Sequence, residues 1–355
     1  MSGPAIAPAD RRGRVARAIV RRLPLLGTVI GLGLGVWLVA TNDLGAVANA
    51  FQRIGPLGLL GIVAVRVIVI LLCGIAWARI LHGLAPVAST AFIVLRLVRE
   101  GINVLLPVAS VGGEVVGGRL LTFWGVAVPL AAASILVDML LQVVSQVLFV
   151  GLGVALLMQV GGEAAASLAA WTLRALIVTA ALILAFFVFQ RSAAARDVWR
   201  CLAARARRLA NATTLGREKT GRGGVYDALD AIWAPNRRGA LTGSFFLHLA
   251  AWGLGIVEIW IALACIGVEG ISLTEIIVIE TLSQAIKSAA FPVPSGLGVQ
   301  EGGFVLLGAL FGIDAGTALA LSLVKRVPDV VLGLPALLLW QMLEARRATI
   351  VPPRS

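Results

Sequence analysis

The sequence predicts an all-α polytopic membrane protein with about eight to ten transmembrane or re-entrant helices. Of its 355 residues, 59% are hydrophobic and only 14% are charged, whereas soluble domains average about half apolar and a quarter charged residues. Apolar runs close to the roughly 20 residues that cross a bilayer recur along the chain. These runs are continuous rather than alternating, which argues against a transmembrane barrel.

The apolar segments are predicted to be the membrane helices. They fall near 23–41, 56–81, 90–108, 114–128, 130–158, 168–190, 241–267, 272–291, 299–313 and 316–341. A basic stretch interrupts them after the sixth segment. We therefore predict five regions: a basic N-terminus (1–22), a first membrane half (23–190), a basic loop (191–240), a second membrane half (241–342) and a tail (343–355).

The positive charge lies outside the apolar segments. The formal net charge is +12, and most arginines fall before residue 23, between Arg191 and Arg238, or after residue 345. Arginine-rich loops face the cytoplasm under the positive-inside rule, so both termini and the 191–240 loop are predicted to be cytoplasmic. This placement indicates contacts with anionic lipid headgroups and no role in nucleic-acid binding.

Two stretches combine helix breakers with a glutamate. They are "FPVPSGLGVQEGG" at 291–303 and "LPVASVGGEVVGG" at 106–118. Glu114 and Glu301 are 187 positions apart, and the same offset pairs Pro107 with Pro294. Irregular backbone at membrane depth is tolerated where it is buried in protein or lines a wet cavity. We predict two matching broken helices that meet near the midplane. Their breaks are formed by Pro107, Gly112, Gly113, Pro292, Pro294, Gly296 and Gly298.

The two halves are predicted to run in opposite directions. The 130–158 segment is expected to run outward from the cytoplasm, whereas its counterpart at offset 187, residues 316–341, ends at the cytoplasmic Arg346. Related units of opposite direction form an inverted-topology repeat. In transporters, broken helices at corresponding positions of the two halves indicate the substrate site.

Ionisable residues inside the apolar segments are the candidate transport pathway, because such residues are expensive in a bilayer and usually functional. Asp138 and Lys325 are equivalent at the 187 offset, and we expect them to pair across the symmetry axis. A second interpretation stays open, in which the charges only lock helices together. The candidate residues are Arg96, Arg99, Glu100, Asn103, Glu114, Arg119, Asp138, Glu280, Lys287, Glu301, Lys325, Arg326 and Asp329.

The sequence lacks the patterns of common catalytic sites. It has no Walker motif and no GxSxG, and its two histidines and three cysteines form no metal-ligand spacing. We therefore expect neither a catalytic centre of these kinds, nor a metal, nor a cofactor.

The stretches "FPVPSGLGVQEGG" and "REGINVLLPVASVGGEVVGGRLL" resemble the flippase-like membrane region of lysylphosphatidylglycerol synthases, and in particular its stand-alone, hopanoid-associated branch. Glu114, Pro107, Pro294, Gly296, Gly298 and Glu301 occupy the family's motif positions. The resemblance implies a bacterial inner-membrane protein that moves hopanoid or another amphiphilic lipid. Lysyl transfer is not implied, because the chain ends at Ser355 without the large soluble domain. The alternatives are an intramembrane lipid-modifying transferase and a scaffold of a lipid-synthesis complex. The oligomeric state stays open.

Overall fold

The computed structural model describes residues 44–106, 112–191, 224–290 and 293–346. Within these residues the chain forms ten α-helices and no strand, which confirms the all-α polytopic membrane fold. The predicted first helix (23–41), Pro107 and Pro292 lie outside the described residues. The helices are α1 (Leu44–Leu81), α2 (Ser89–Leu105), α3 (Gly112–Leu121), α4 (Val128–Val160), α5 (Glu163–Arg191), α6 (Val225–Ile232), α7 (Arg238–Ile266), α8 (Leu273–Ala289), α9 (Val299–Leu310) and α10 (Ala315–Ala345).

Among the described residues, four helices are long and apolar enough to cross a membrane: α1, α4, α5 and α7. Helix α10 has 31 residues, but it carries Lys325, Arg326 and Asp329 in its middle. Helix α5 is mostly exposed, and residues such as Trp171 and Leu182 present large apolar side chains. An exposed apolar surface on a membrane helix is the surface that faces lipid.

Four of the predicted membrane segments, 90–108, 114–128, 272–291 and 299–313, correspond in the structure to short helices, α2, α3, α8 and α9. Helices α2 and α8 have 17 residues each, and α3 and α9 have 10 and 12. At 1.5 Å per residue, α2 and α8 are about 25 Å long and α3 and α9 about 15–18 Å. All four are shorter than the roughly 30 Å hydrocarbon core. The α2–α3 and α8–α9 pairs are therefore hairpins of half-length helices.

Helices α1 and α7 pack against each other in antiparallel directions. Gly58 of α1 lies beside Cys265 near the end of α7, and Gly243 near the start of α7 lies beside Arg79 at the end of α1. A Cβ atom at Gly58 would come within 3.0 Å of the Cys265 Sγ, so glycine permits this close approach. These two contacts, one at each end of the pair, show that the helices lie side by side in opposite directions.

The 191–240 segment, predicted as a surface loop, is partly a packed element. Leu229 and Ile232 of α6 are buried in the core beside α4. The guanidinium of Arg237 donates hydrogen bonds to the carbonyl oxygens of Ile80 and His82, at 2.8 and 2.6 Å. It therefore satisfies carbonyls at the C-terminus of α1.

Helix α10 begins with a side-chain cap. Asp314 accepts a hydrogen bond from the backbone N–H of Thr317 at 2.9 Å. Burial raises the pKa of the Asp314 carboxyl, but hydrogen bonds, above all from Thr317, outweigh this effect and lower the pKa below its ordinary value of 3.8.

The cap leads to a testable expectation. Asp314→Ala should lower the free energy of unfolding by about 1 kcal/mol at neutral pH. Because the folded-state pKa is lowered, this contribution is full above the unfolded pKa of 3.8 and is lost as the pH falls through the folded value. Unfolding in detergent, compared at neutral and acidic pH, measures the difference. A difference that does not shrink in acid would contradict the capping role.

Candidate functional site

In the part of the chain that the structure describes, charged side chains in the middle of the helices form three clusters. The first, the Arg99 cluster, joins α2, α3, α4 and α7. The Arg99 side chain is fully buried and forms ion pairs with Glu114 and with Asp138, the latter at 2.9 Å. His248 contacts the other oxygen of Asp138 at 3.0 Å. Arg96 lies 4.0 Å from Asp138 and pairs with Glu100 at 3.3 Å.

Two glycines allow the α2–α3 hairpin to close around Arg99. A Cβ atom at Gly117 would lie 2.5 Å from the Cγ of Arg99, and one at Gly113 would collide with the Arg99 carbonyl oxygen. The Gly113 N–H also donates to the side-chain oxygen of Asn103 at 2.8 Å. These glycines let the start of α3 approach α2, so that Glu114 reaches Arg99.

The second group, the Lys325 cluster, joins α1, α7, α8 and α10. The Lys325 ammonium contacts Glu280 at 2.5 Å and Glu258 at 3.4 Å. Arg66 makes two hydrogen bonds to Glu258, at 2.9 and 2.8 Å. Gln284 donates to the remaining oxygen of Glu280 at 2.9 Å. Two cations and two carboxylates thus balance in a buried, hydrogen-bonded group, the condition under which buried charge is tolerated.

The third group, the Arg326 cluster, fixes the second broken element. Arg326 pairs with Glu301 at 2.5 Å and also donates to the carbonyl oxygens of Ser295 and Gly296, at 3.2 and 3.4 Å. Ser295 has a positive φ of 55° and Gly298 one of 74°, so the chain turns sharply here before α9 begins. The guanidinium binds irregular backbone that would otherwise lack partners in a membrane.

The structure brings together most, but not all, of the residues that the sequence singled out. Arg119 lies apart from the three clusters and forms a half-exposed ion pair with Glu344 at 2.5 Å. The expected pair of Asp138 and Lys325 is wrong, because Asp138 is bound by Arg99 and His248 and Lys325 by Glu280 and Glu258.

Two further candidates, Lys287 and Asp329, belong to no cluster by direct contact. Within the described residues, neither has an ion pair within 4 Å or a side-chain hydrogen bond. Lys325 and Asp329 stand four residues apart on α10, yet Lys325 turns to the carboxylates of α7 and α8 instead.

The candidate set lacked three residues that belong to the clusters. Arg66, His248 and Glu258 are all buried or nearly so. His248 contacts the candidate Asp138. Glu258 contacts the candidate Lys325, whereas Arg66 contacts Glu258. The sequence feature that could have identified these three residues is their position deep within long apolar segments. All three lie in the interior of the long helices α1 and α7, rather than near their ends.

The fold and these clusters define a multi-pass membrane protein with paired charges at mid-depth. The family model described as "Lysylphosphatidylglycerol synthase TM region" matches residues 25–336, and the chain belongs to that family. It is a lipid-related membrane protein. No curated protein and no solved structure matches the chain significantly.

Proposed function

We propose that this protein is a lipid transporter of the flippase type in a bacterial inner membrane, moving hopanoid or another amphiphilic lipid. The observation that carries the proposal is the position of the buried charge clusters between two hairpins of half-length helices. A polar headgroup needs such groups at the bilayer centre, where neither water nor lipid headgroups are present.

The directions of the two hairpins support this proposal. The α2–α3 hairpin ends beside the C-terminal end of α10, where Arg119 contacts Glu344. The α8–α9 hairpin ends at Leu310, five residues before α10 begins. Because α10 runs from one side to the other, the hairpins open toward opposite sides. Two half-length elements that approach from opposite sides fit an alternating-access site.

Internal correspondences support an inverted repeat. Helices α3 and α9 begin at Gly112 and Val299, which are 187 positions apart, as are the starts of α4 and α10. Gly101 meets Gly333 where α2 crosses α10. The positions equivalent to these residues are Ser288 and Gln146, which form a hydrogen bond of 2.5 Å. The same contact in both halves is the expected consequence of a two-fold relation between them.

The orientation follows from the arginine blocks. The 1–22 segment, the 191–240 segment and the 343–355 tail would face the cytoplasm, under the positive-inside rule. The α2–α3 hairpin would then open to the cytoplasm and α8–α9 to the other side. Rocking of the two halves would expose the clusters alternately, while the acyl chains stay in the lipid.

A reconstitution experiment tests transport. The protein is placed in vesicles with acyl-labelled fluorescent lipids, and reduction by dithionite reports which labels reach the outer leaflet. We expect wild-type protein to accelerate exchange and Glu114→Ala and Glu301→Ala to reduce the rate about tenfold or more. Each substitution removes the carboxylate that pairs with an arginine of the clusters, Arg99 or Arg326. A tenfold change corresponds to about 1.4 kcal/mol of barrier.

The comparison needs folded variants. Glu114→Gln and Glu301→Gln keep the shape of the side chain, and Glu163→Gln is the matched control because Glu163 lies exposed at the start of α5. Only variants with wild-type size-exclusion profiles are compared. Equal flux in wild type, Glu114→Gln and Glu301→Gln would refute the proposal. Absence of flux together with a changed lipid mass spectrum in cells would favour a transferase.

A further inference from the structure

Two narrow cavities adjoin at Arg66, one beside each hairpin. The first, which we call the acidic cavity, is lined by Glu100 of α2 and Asp329 of α10. The second, the basic cavity, is lined by Lys287 of α8 and Lys325 of α10 together with Ser283, Gln284, Gln300 and Phe304. Arg66 lines both cavities, so they are neighbours with opposite charge.

Some of the charged residues that line these cavities are paired with a residue of opposite charge, and others are not. Arg66 is neutralised by Glu258 and Lys325 by Glu280. Lys287 in the basic cavity and Asp329 in the acidic cavity have no such partner among the described residues. A charge away from water is unfavourable without a partner. Asp329 is buried and Lys287 is half-buried, so a group of opposite charge beside each of them would be stabilising.

An uncharged polar atom adds a second observation. The side chain of Gln300 is 5% exposed and lines the basic cavity. Its nitrogen donates to Ser322, but its oxygen has no hydrogen-bond partner within the described part of the chain. Buried polar atoms are nearly always hydrogen-bonded. This free acceptor indicates that the cavity takes a polar ligand or a water molecule.

We propose that the two cavities bind a zwitterionic phospholipid headgroup, with its phosphate at Lys287 and its ammonium at Asp329. This inference rests on the proposed transport function and names the class of its cargo. A phosphate accepts charge-assisted hydrogen bonds from Lys287 and from the amide of Gln284, and an ammonium donates them to a carboxylate. Lys325 also lines the basic cavity, whereas Glu100 lines the acidic one, so the lining charges favour the phosphate on the basic side.

Other lipid classes satisfy fewer of these groups. A neutral polyol headgroup leaves both Lys287 and Asp329 without a counter-charge. An anionic headgroup without an ammonium compensates Lys287 but leaves Asp329. In this structure each cavity has room for about one water molecule. The proposed headgroup therefore needs more space than these cavities offer, and it would enter only after the two hairpins move apart.

A simpler reading is that Lys287 and Asp329 attract each other through the cavities. The two residues carry opposite charges and line cavities that meet at Arg66. The charge-swapped variant Lys287→Asp/Asp329→Lys separates the two readings. A pair that only compensates itself regains wild-type behaviour after the swap. A headgroup site does not regain wild-type behaviour. The phosphate of a phospholipid lies nearer the acyl chains than the ammonium does, so the headgroup cannot reverse its direction to match the swapped charges.

The test measures binding and transport with the same three lipids: phosphatidylethanolamine, phosphatidylglycerol and diacylglycerol. Native mass spectrometry of the purified full-length protein gives relative binding, and labelled vesicles give flux. We expect about tenfold tighter binding of phosphatidylethanolamine than of phosphatidylglycerol. Asp329→Asn should remove that preference, and Lys287→Gln should weaken binding of both phospholipids without affecting diacylglycerol.

The controls are Arg119→Gln and Asp314→Asn, which alter one exposed cation and one exposed carboxylate and should leave the binding order unchanged. Equal binding of the three lipids, or full recovery in the charge-swapped variant, would overturn the inference. These outcomes do not depend on flux. Absence of flux with preserved headgroup selectivity would instead remove the proposed transport function and leave the binding site.

Discussion

Replacing Arg99 with methionine is expected to lower the free energy of unfolding by about 3–5 kcal/mol, the usual effect of removing one partner from a buried ion pair. Arg99 is fully buried and stands between two carboxylates, those of Glu114 and Asp138. After the substitution Asp138 keeps His248 at 3.0 Å, whereas Glu114 keeps only the amide of Asn103 at 3.4 Å. The Glu114 carboxylate would then be buried without a cation.

A matched control uses the same substitution at a different depth. Arg119→Met also removes an arginine that pairs with a glutamate, but the Arg119 side chain is 51% exposed. Exposed ion pairs contribute only about 0–1 kcal/mol. Reversible unfolding in mixed detergent micelles, followed by circular dichroism, measures both variants. Similar losses at Arg99 and Arg119 would show that the Arg99 cluster does not hold α2, α3 and α4 together.

The helices could be predicted from the sequence because burial in lipid and burial in protein both demand apolar side chains. The predicted segment 130–158 corresponds to α4, Val128–Val160, and the predicted segment 241–267 to α7, Arg238–Ile266. The beginning of α1 could not be predicted in the same way. Helical residues continue before Pro56 as far as Leu44, across a kink at Gly55, where φ is 61°. The polar residues in this first part resemble a loop.

The partners of the buried charges could not be predicted, although most of the charged residues could. Asp138 and Lys325 occupy equivalent positions at the 187 offset, and that equivalence suggested a direct pair. Equivalent positions meet only if they lie on the symmetry axis itself. Asp138 instead faces α2 and α7, where Arg99 and His248 reach it. The rotation of each helix about its axis decides these contacts, and local sequence spacing does not specify it.

The Lys325 cluster gives a second large expected effect. Lys325→Met should lower the free energy of unfolding by about 3–5 kcal/mol. Glu280 is fully buried, and Lys325 is the cation that contacts it, at 2.5 Å. Glu258 retains Arg66 through two hydrogen bonds. The expected loss therefore arises at Glu280, where the desolvated carboxylate would keep only the hydrogen bond from Gln284.

The double variant Lys325→Met/Glu280→Met distinguishes a charge effect from lost packing. Removing both charges leaves Arg66 and Glu258 paired, and replacing a buried ion pair by apolar groups is often neutral. We expect the double variant to recover most of the stability lost in Lys325→Met, measured by the same unfolding experiment. If the double variant were as unstable as Lys325→Met, the shape of the side chains rather than their charge would determine the stability of this cluster.

Lys287→Met removes a cation that has no ion pair among the described residues. This substitution should change the free energy of unfolding by less than about 1 kcal/mol while it reduces phospholipid binding. If Lys287→Met were as destabilising as Lys325→Met, Lys287 would be a structural residue and no headgroup ligand would be needed to explain it.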